Sequence, residues 1–245
     1  MFVSGSLNIT VLGSCRNGGY HTNRLNIDIH YPHCTKEIIQ FIQFLKGNLD
    51  CKNSLSKVFS LYNILFHSVF CGSGEDFIVT KEFIKIFEQS PMCIIEISSR
   101  KKYIYDNKFY MHHLAVNRDN YFSCRYTPDV VWNNYKIEEQ SDQEIEEDIL
   151  LIRDMLFPKQ ILMITHLFSS KWLLRYPALE KREKLNSLIT KICKKYDICI
   201  LNPIALLKEY DPDMLVLEDL EHYSTEGMKI WYNYLDSYLQ TMKIL

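Results

Sequence analysis

The chain has 245 residues, 47% of them apolar and 24% charged, with a formal net charge of −2. That is enough apolar material for one α/β core, and charges that nearly cancel argue against nucleic acid as a partner, because phosphate neutralisation demands a basic excess. No basic N-terminal segment leads into an apolar stretch and no apolar run approaches the ~20 residues that span a bilayer, so the expectation is a soluble, cytoplasmic protein without a membrane partner.

In chain order, Asn8 to Leu12 reads as a short buried strand closed by Gly13. "TKEIIQFIQFLKG" predicts a helix, with Thr35 as cap, Glu37 in its first turn and Gly47 as its stop. "SKVFSLYNILFHSVF" is ambiguous between helix and strand, and "GSGEDF" is a loop. "TKEFIKIFEQS" predicts a short amphipathic helix stopped by Pro91, followed by a second buried strand, "MCIIEIS".

"KKYIYDNKFYMHHLAV" reads as a loop or hairpin with a turn at Asp-Asn-Lys, part of a Tyr-rich insertion over 101–135. "EEQSDQEIEEDILLIRDML" reads as an acidic, solvated entrance to a helix that buries Ile145, Ile149, Ile152 and Leu156. "KQILMITHLF" is a third strand and "PALEKREKLNSLITKICKKY" a helix with Leu179, Leu185, Leu188, Ile189 and Ile192 inward. "DICILNP" is a fourth strand and "STEGMKIWYNYLDSYLQTMKIL" a final amphipathic helix capped by Ser224 or Thr225.

Strands alternating with helices predict one α/β domain over 1–245, with a mostly parallel sheet of about four to five strands covered on both faces. Ligands of such sheets sit at the carboxyl ends of the strands.

The eight cysteines show no C-x-x-C spacing, and those inside apolar runs, such as Cys93 and Cys199, read as small buried hydrophobes. No histidine set has metal-ligand spacing, so no metal is expected.

Two short stretches are candidates for carrying chemistry. "GSC" at Gly13, Ser14 and Cys15, followed by Arg16, stands where the first strand ends. Backbone N–H groups at such a turn favour a thiolate or an oxyanion. Far along the chain, Asp219 and His222 form a D-x-x-H turn directly before the last helix. A carboxylate there fixes the tautomer of the imidazole and stabilises its charged form.

Together the two stretches resemble the SGNH/GDSL hydrolase superfamily, which opens on a strand ending in Gly-Asp-Ser and closes with Asp-x-x-His before its last helix. The chain looks like the branch in which the first motif is Gly-Ser-Cys, as in GSCFA-like and capsular-polysaccharide acyltransferase-like members. The matching residues are Gly13, Ser14, Cys15, Asp219, His222 and Gly227.

The resemblance implies an SGNH/flavodoxin-like domain that transfers or hydrolyses an acyl group on a carbohydrate or similar hydroxylated small molecule. Cys15 would be the nucleophile, with Ser14 as the alternative, and His222 oriented by Asp219 would be the base. No cofactor is required, and acetyl-CoA is a possible acyl donor. The family's oxyanion Gly and Gly-x-Asn have no clean match. Gly72, Gly74, Ser98, Ser99, Arg100 and Arg16 are the donors considered in their place.

His112 and His113 in the Tyr-rich stretch are an alternative source of the base. His30 and His33 read as loop histidines, and His166 follows the third strand at a carboxyl end. Two alternatives remain: a simple ester hydrolase or deacetylase using Ser14, and a binding protein that keeps the fold without the chemistry.

Overall fold

The computed structural model describes residues 9–13, 16, 27–30, 32–48, 81–105, 107–111 and 135–242, with 27–30 and 81–83 described by backbone alone. Ser14, Cys15, Gly72, Gly74, His112, His113 and the ambiguous stretch after Ser56 lie outside the described residues.

The protein is mixed α/β. Strands β1 (Ile9–Leu12), β2 (Ile27–His30), β3 (Met92–Glu96), β7 (Gln160–Ile164) and β8 (Cys199–Leu201) form a parallel sheet in the order β2-β1-β3-β7-β8. Strands β4 (Lys101–Tyr105), β5 (Phe109–Met111) and β6 (Tyr135–Glu139) form a second, antiparallel sheet in the order β5-β4-β6. The helices are α1 (Thr35–Leu45), α2 (Lys81–Gln89), α3 (Asp142–Leu156), α4 (Glu180–Lys195), α5 (Pro212–Leu215) and α6 (Thr225–Thr241).

Period-two alternation divides the core between the two faces of the parallel sheet. Leu12, Cys93, Ile95 and Met163 point to one face, where α1, α3 and α4 supply Ile38, Ile42, Ile145, Ile149, Ile189 and Ile192. Ile9, Val11, Ile94, Leu162 and Ile164 point to the other, against Trp172 and the Trp231, Leu235 and Leu239 stripe of α6. Helices on both faces explain why β1 and β3 are buried at every position.

Several expectations need correction. Thr35 does not cap α1: Cys34 holds the N-cap position without a side-chain cap, and Thr35 is the first helical residue. Its hydroxyl is drawn instead into a buried network, donating to Asp148 Oδ2 at 2.6 Å, while Gln140 Nε2 reaches the same carboxylate oxygen at 2.9 Å. Lys36 Nζ closes the network on Asp148 Oδ1 at 2.7 Å.

The acidic stretch before α3 is not all helix entrance. Glu138 and Glu139 belong to β6, paired in register with Lys102 and Lys101 of β4, so cross-strand charge complementarity extends the sheet there. The helix begins only after Ser141, which forms a capping box with Glu144. His30 ends strand β2 rather than standing in a loop. Cys199 is exposed, because it opens the short edge strand β8.

The Tyr-rich stretch begins as the antiparallel pair β4–β5. Gln40 of α1 binds the backbone of Tyr110 in both directions, at 2.7 and 2.8 Å, and Tyr105, Phe109 and Met111 enter the main core. Of the tyrosines in these two strands, Tyr105 is buried in the core and Tyr103 packs against it.

Asp148 is the buried anion that joins α1, α3 and the end of β6. Replacing it with Ala strands Lys36, Thr35 and Gln140, and about 3 kcal/mol of stability is the expected loss in urea unfolding.

Candidate active site

The order of the parallel sheet reverses between β1 and β3, since β1 has β2 on one side and β3 on the other. Open α/β sheets bind ligands at the carboxyl ends beside such a reversal. Gly13 leaves β1 there with φ of +153°, and a Cβ at this position would stand 2.7 Å from the Cβ of Glu96. Only glycine lets the chain leaving β1 pass so close to the end of β3.

Glu96 is the last residue of β3 and its side chain is 3% exposed. A buried carboxylate needs partners. Arg16 Nε lies 3.1 Å from Glu96 Oε1, and His166 Nε2 lies 3.1 Å from the same oxygen. Arg16 Nη2 also meets His166 Nε2. His166 follows β7, so three carboxyl ends converge on one buried ionic cluster.

Asn186 of α4 fixes the backbone at His166, accepting its N–H at 3.1 Å and donating to its carbonyl at 2.8 Å. Burial pushes the His166 pKa well down, and the charges of Arg16 and Arg182 add to that, so its ring is neutral at physiological pH. Its Nδ1 is buried and has no hydrogen-bond partner among the described residues.

The Asp219–His222 pair stands in a tight loop between α5 and α6. Asp219 Oδ1 accepts the N–H groups of Glu221 and His222 at 2.8 and 3.0 Å, and Oδ2 meets His222 Nδ1 at 2.7 Å. Burial alone would raise the Asp219 carboxyl, but the His222 N–H, its ring and the Glu221 N–H outweigh it and hold the group below its ordinary value. A proton on Nδ1, shared with the carboxylate, makes Nε2 the basic nitrogen of the ring. Both side chains are about half exposed, at 47% and 46%.

The loop is closed by Leu217 N–H on the His222 carbonyl at 2.8 Å and by Ser224 N–H on the Leu215 carbonyl at 3.0 Å. Ser224 caps α6 by accepting from Gly227 N–H. A Cβ on Gly227 would fall 1.9 Å from the Leu215 carbonyl oxygen, so α6 approaches α5 only because position 227 carries none.

Two arginines tie this loop to the rest of the site. Arg16 Nη1 donates to the Glu221 carbonyl at 3.0 Å, and Arg182 Nη1 of α4 donates to the Leu220 carbonyl at 2.5 Å. The structure thus brings Gly13, Arg16, Asp219 and His222 together, and adds Glu96, His166 and Arg182. Ser14 and Cys15 lie in the chain between Gly13 and Arg16, outside the described residues. Sequence reasoning missed Glu96, whose signal is a lone charge in the apolar strand "MCIIEI". Arg182 had no comparable signal within its charged helix.

The donors considered after β3 are engaged elsewhere. The Ser98 and Ser99 N–H groups both bind the His33 carbonyl at 2.9 Å, and Ser98 Oγ meets His33 Nδ1 at 2.8 Å. Arg100 pairs with Asp142 at 2.5 Å. His33 is thus a loop histidine, as expected, with its hydrogen bonds satisfied beside the strand end. Its N–H is accepted by Glu37 at 2.8 Å, and burial lifts the Glu37 carboxyl to about 8.

A groove of about 920 Å³ opens beside the loop, bordered by Ser98, Arg100, Arg182, Leu188 and Glu221. Among the described residues, no group of three or more His, Cys, Asp or Glu side chains is placed to hold a metal ion, and no helix is long and apolar enough to cross a membrane. No protein-family model and no curated protein matches the chain.

Glu37 provides a pH test of the wall around His33. Its folded pKa lies above the unfolded one, so its contribution to stability is fully present below the unfolded value of ~4.3 and is lost as pH rises through the folded value of about 8. Glu37→Gln removes that titration. Urea midpoints between about pH 5 and about pH 9 should show wild type losing stability relative to this variant as pH rises.

Proposed function

We propose that the protein is an acyl-group enzyme of SGNH type, transferring or hydrolysing an acetyl or similar acyl group on a carbohydrate or other hydroxylated small molecule. The observation that carries this reading is the Asp219–His222 pair, held by the Arg16 side chain against the segment that leaves β1. The sheet order β2-β1-β3-β7-β8, counted over the parallel strands alone, corresponds to the flavodoxin-like order 2-1-3-4-5. This supports an SGNH/flavodoxin-like assignment of the fold.

In this mechanism His222 Nε2 takes the proton of the Cys15 thiol as sulfur attacks the acyl carbonyl carbon. The tetrahedral intermediate collapses, and the same proton passes from His222 to the departing oxygen or sulfur. That leaves a thioester on Cys15. An acceptor hydroxyl, or water, then gives its proton to His222 and attacks the thioester. The product ester or acid leaves, and the proton returns to the sulfur. Asp219 stabilises the imidazolium in both halves. Acetyl-CoA serves as donor in the transfer version, and Ser14 replaces Cys15 in the simple hydrolase version.

The groove beside Glu221 and Arg182, with several charged side chains along it, is of a size to admit a sugar-like acceptor. Intact mass after brief exposure to p-nitrophenyl acetate, and separately to acetyl-CoA, tests the assignment. An acetyl adduct is expected in wild type and Ser14→Ala and absent in Cys15→Ala. Labelling by acetyl-CoA identifies transfer. No adduct and no turnover with either donor favours the binding-protein alternative.

A further inference from the structure

We infer that Arg16 is a positioning residue, a three-way clamp that sets His222 against the carboxyl ends of β1 and β3; the inference rests on the acyl-transfer reading for its catalytic consequence. The guanidinium touches three segments remote in sequence. Nε faces Glu96 at the end of β3, Nη2 faces His166 after β7, and Nη1 donates to the carbonyl of Glu221. Glu221 directly precedes His222.

The division of labour follows from which bonds are local. Asp219 orients the His222 ring from within its own loop, through hydrogen bonds no more than three residues apart. Those bonds fix the ring relative to the carboxylate. The placing of the loop on the sheet needs long-range contacts, and Arg16 supplies one across 205 residues.

The clamp is itself held. Glu96 is buried and cannot swing to solvent, and the His166 ring lies against both the carboxylate and the guanidinium. Asn186 fixes the His166 backbone from α4. A planar fork that donates in three directions is particular to arginine, because a lysine ammonium has one short centre and a flexible stem. Arg16 also stands two residues past Ser14, so the residue that grips the His222 loop belongs to the segment carrying the Gly-Ser-Cys motif.

The test compares wild type with Arg16→Lys, Arg16→Gln and Glu96→Gln. Three readouts are taken: turnover of p-nitrophenyl acetate, amide exchange over residues 217–224, and the ring nitrogen shifts of His222. Both Arg16 variants should lose kcat on the order of 100-fold with little change in KM, as expected for a misplaced catalytic group. Exchange over 217–224 should quicken. The His222 shifts should still report protonation at Nδ1, since Asp219 sits on the same loop. Glu96→Gln should show the same changes to a smaller degree.

Arg16→Lys keeps the charge that Glu96 requires, and so remains informative if Arg16→Gln does not fold. Wild-type kcat in Arg16→Lys overturns the clamp, as does unaltered exchange in both Arg16 variants. A switch of the His222 tautomer overturns it too, because it shows a loop that has come apart rather than shifted. If wild type itself turns over no ester, the acyl reading fails and the exchange data alone decide. Faster exchange then keeps the clamp, and unchanged exchange removes it.

Discussion

A carboxylate buried at the end of the central strand governs the rest of the site. Glu96 sits between β1 and β7, where water cannot solvate it, so the chain must bring it cation and hydrogen-bond partners. Arg16 and His166 answer that demand from the segments that follow the two neighbouring strands. Gly13 makes the approach possible by offering no side chain where Glu96 stands. The core alone has no need of such a cluster. Hydrophobic side chains of similar volume would fill the same space at less desolvation cost, so packing alone does not account for the cluster at the carboxyl end of the sheet.

The same cluster reaches outward to the Asp219–His222 loop. That loop is built from short-range bonds, and its anchoring is built from long-range ones. A local dyad and a distant clamp can therefore be altered separately by mutation. The groove lined by Arg182 and Glu221 borders the same loop, one residue before His222.

Much of the scaffold was legible in the sequence because its signals are periodic. The Ile145, Ile149, Ile152 and Leu156 stripe is buried as its spacing predicts, and "MCIIE" is a strand buried throughout. The Asp219–His222 pair was legible because three residues of separation on one turn almost force contact. Strand β2 was not, since "IDIH" is short and half polar and its pairing with β1 is non-local. Strand β6 was hidden because its glutamates find their lysines on a strand that lies far back in the chain. Cys199 looked buried from its apolar neighbours, but burial at a sheet edge depends on what lies beside it. The Glu96–Arg16–His166 cluster joins residues 70 to 150 positions apart, and local reading offers only the oddity of one charge in an apolar strand.

The central claim is that the segment leaving β1 carries a thiol activated by His222. The most direct measurement is the alkylation rate of each cysteine across pH, followed by peptide mapping. Cys34, Cys93 and Cys193 are buried and their thiols are pushed up, so they label slowly, while the exposed Cys199 serves as the accessible reference. The account predicts that Cys15 labels faster than Cys199 near neutral pH, and that His222→Ala removes the difference. Equal rates at Cys15 and Cys199, unmoved by His222→Ala, would contradict it.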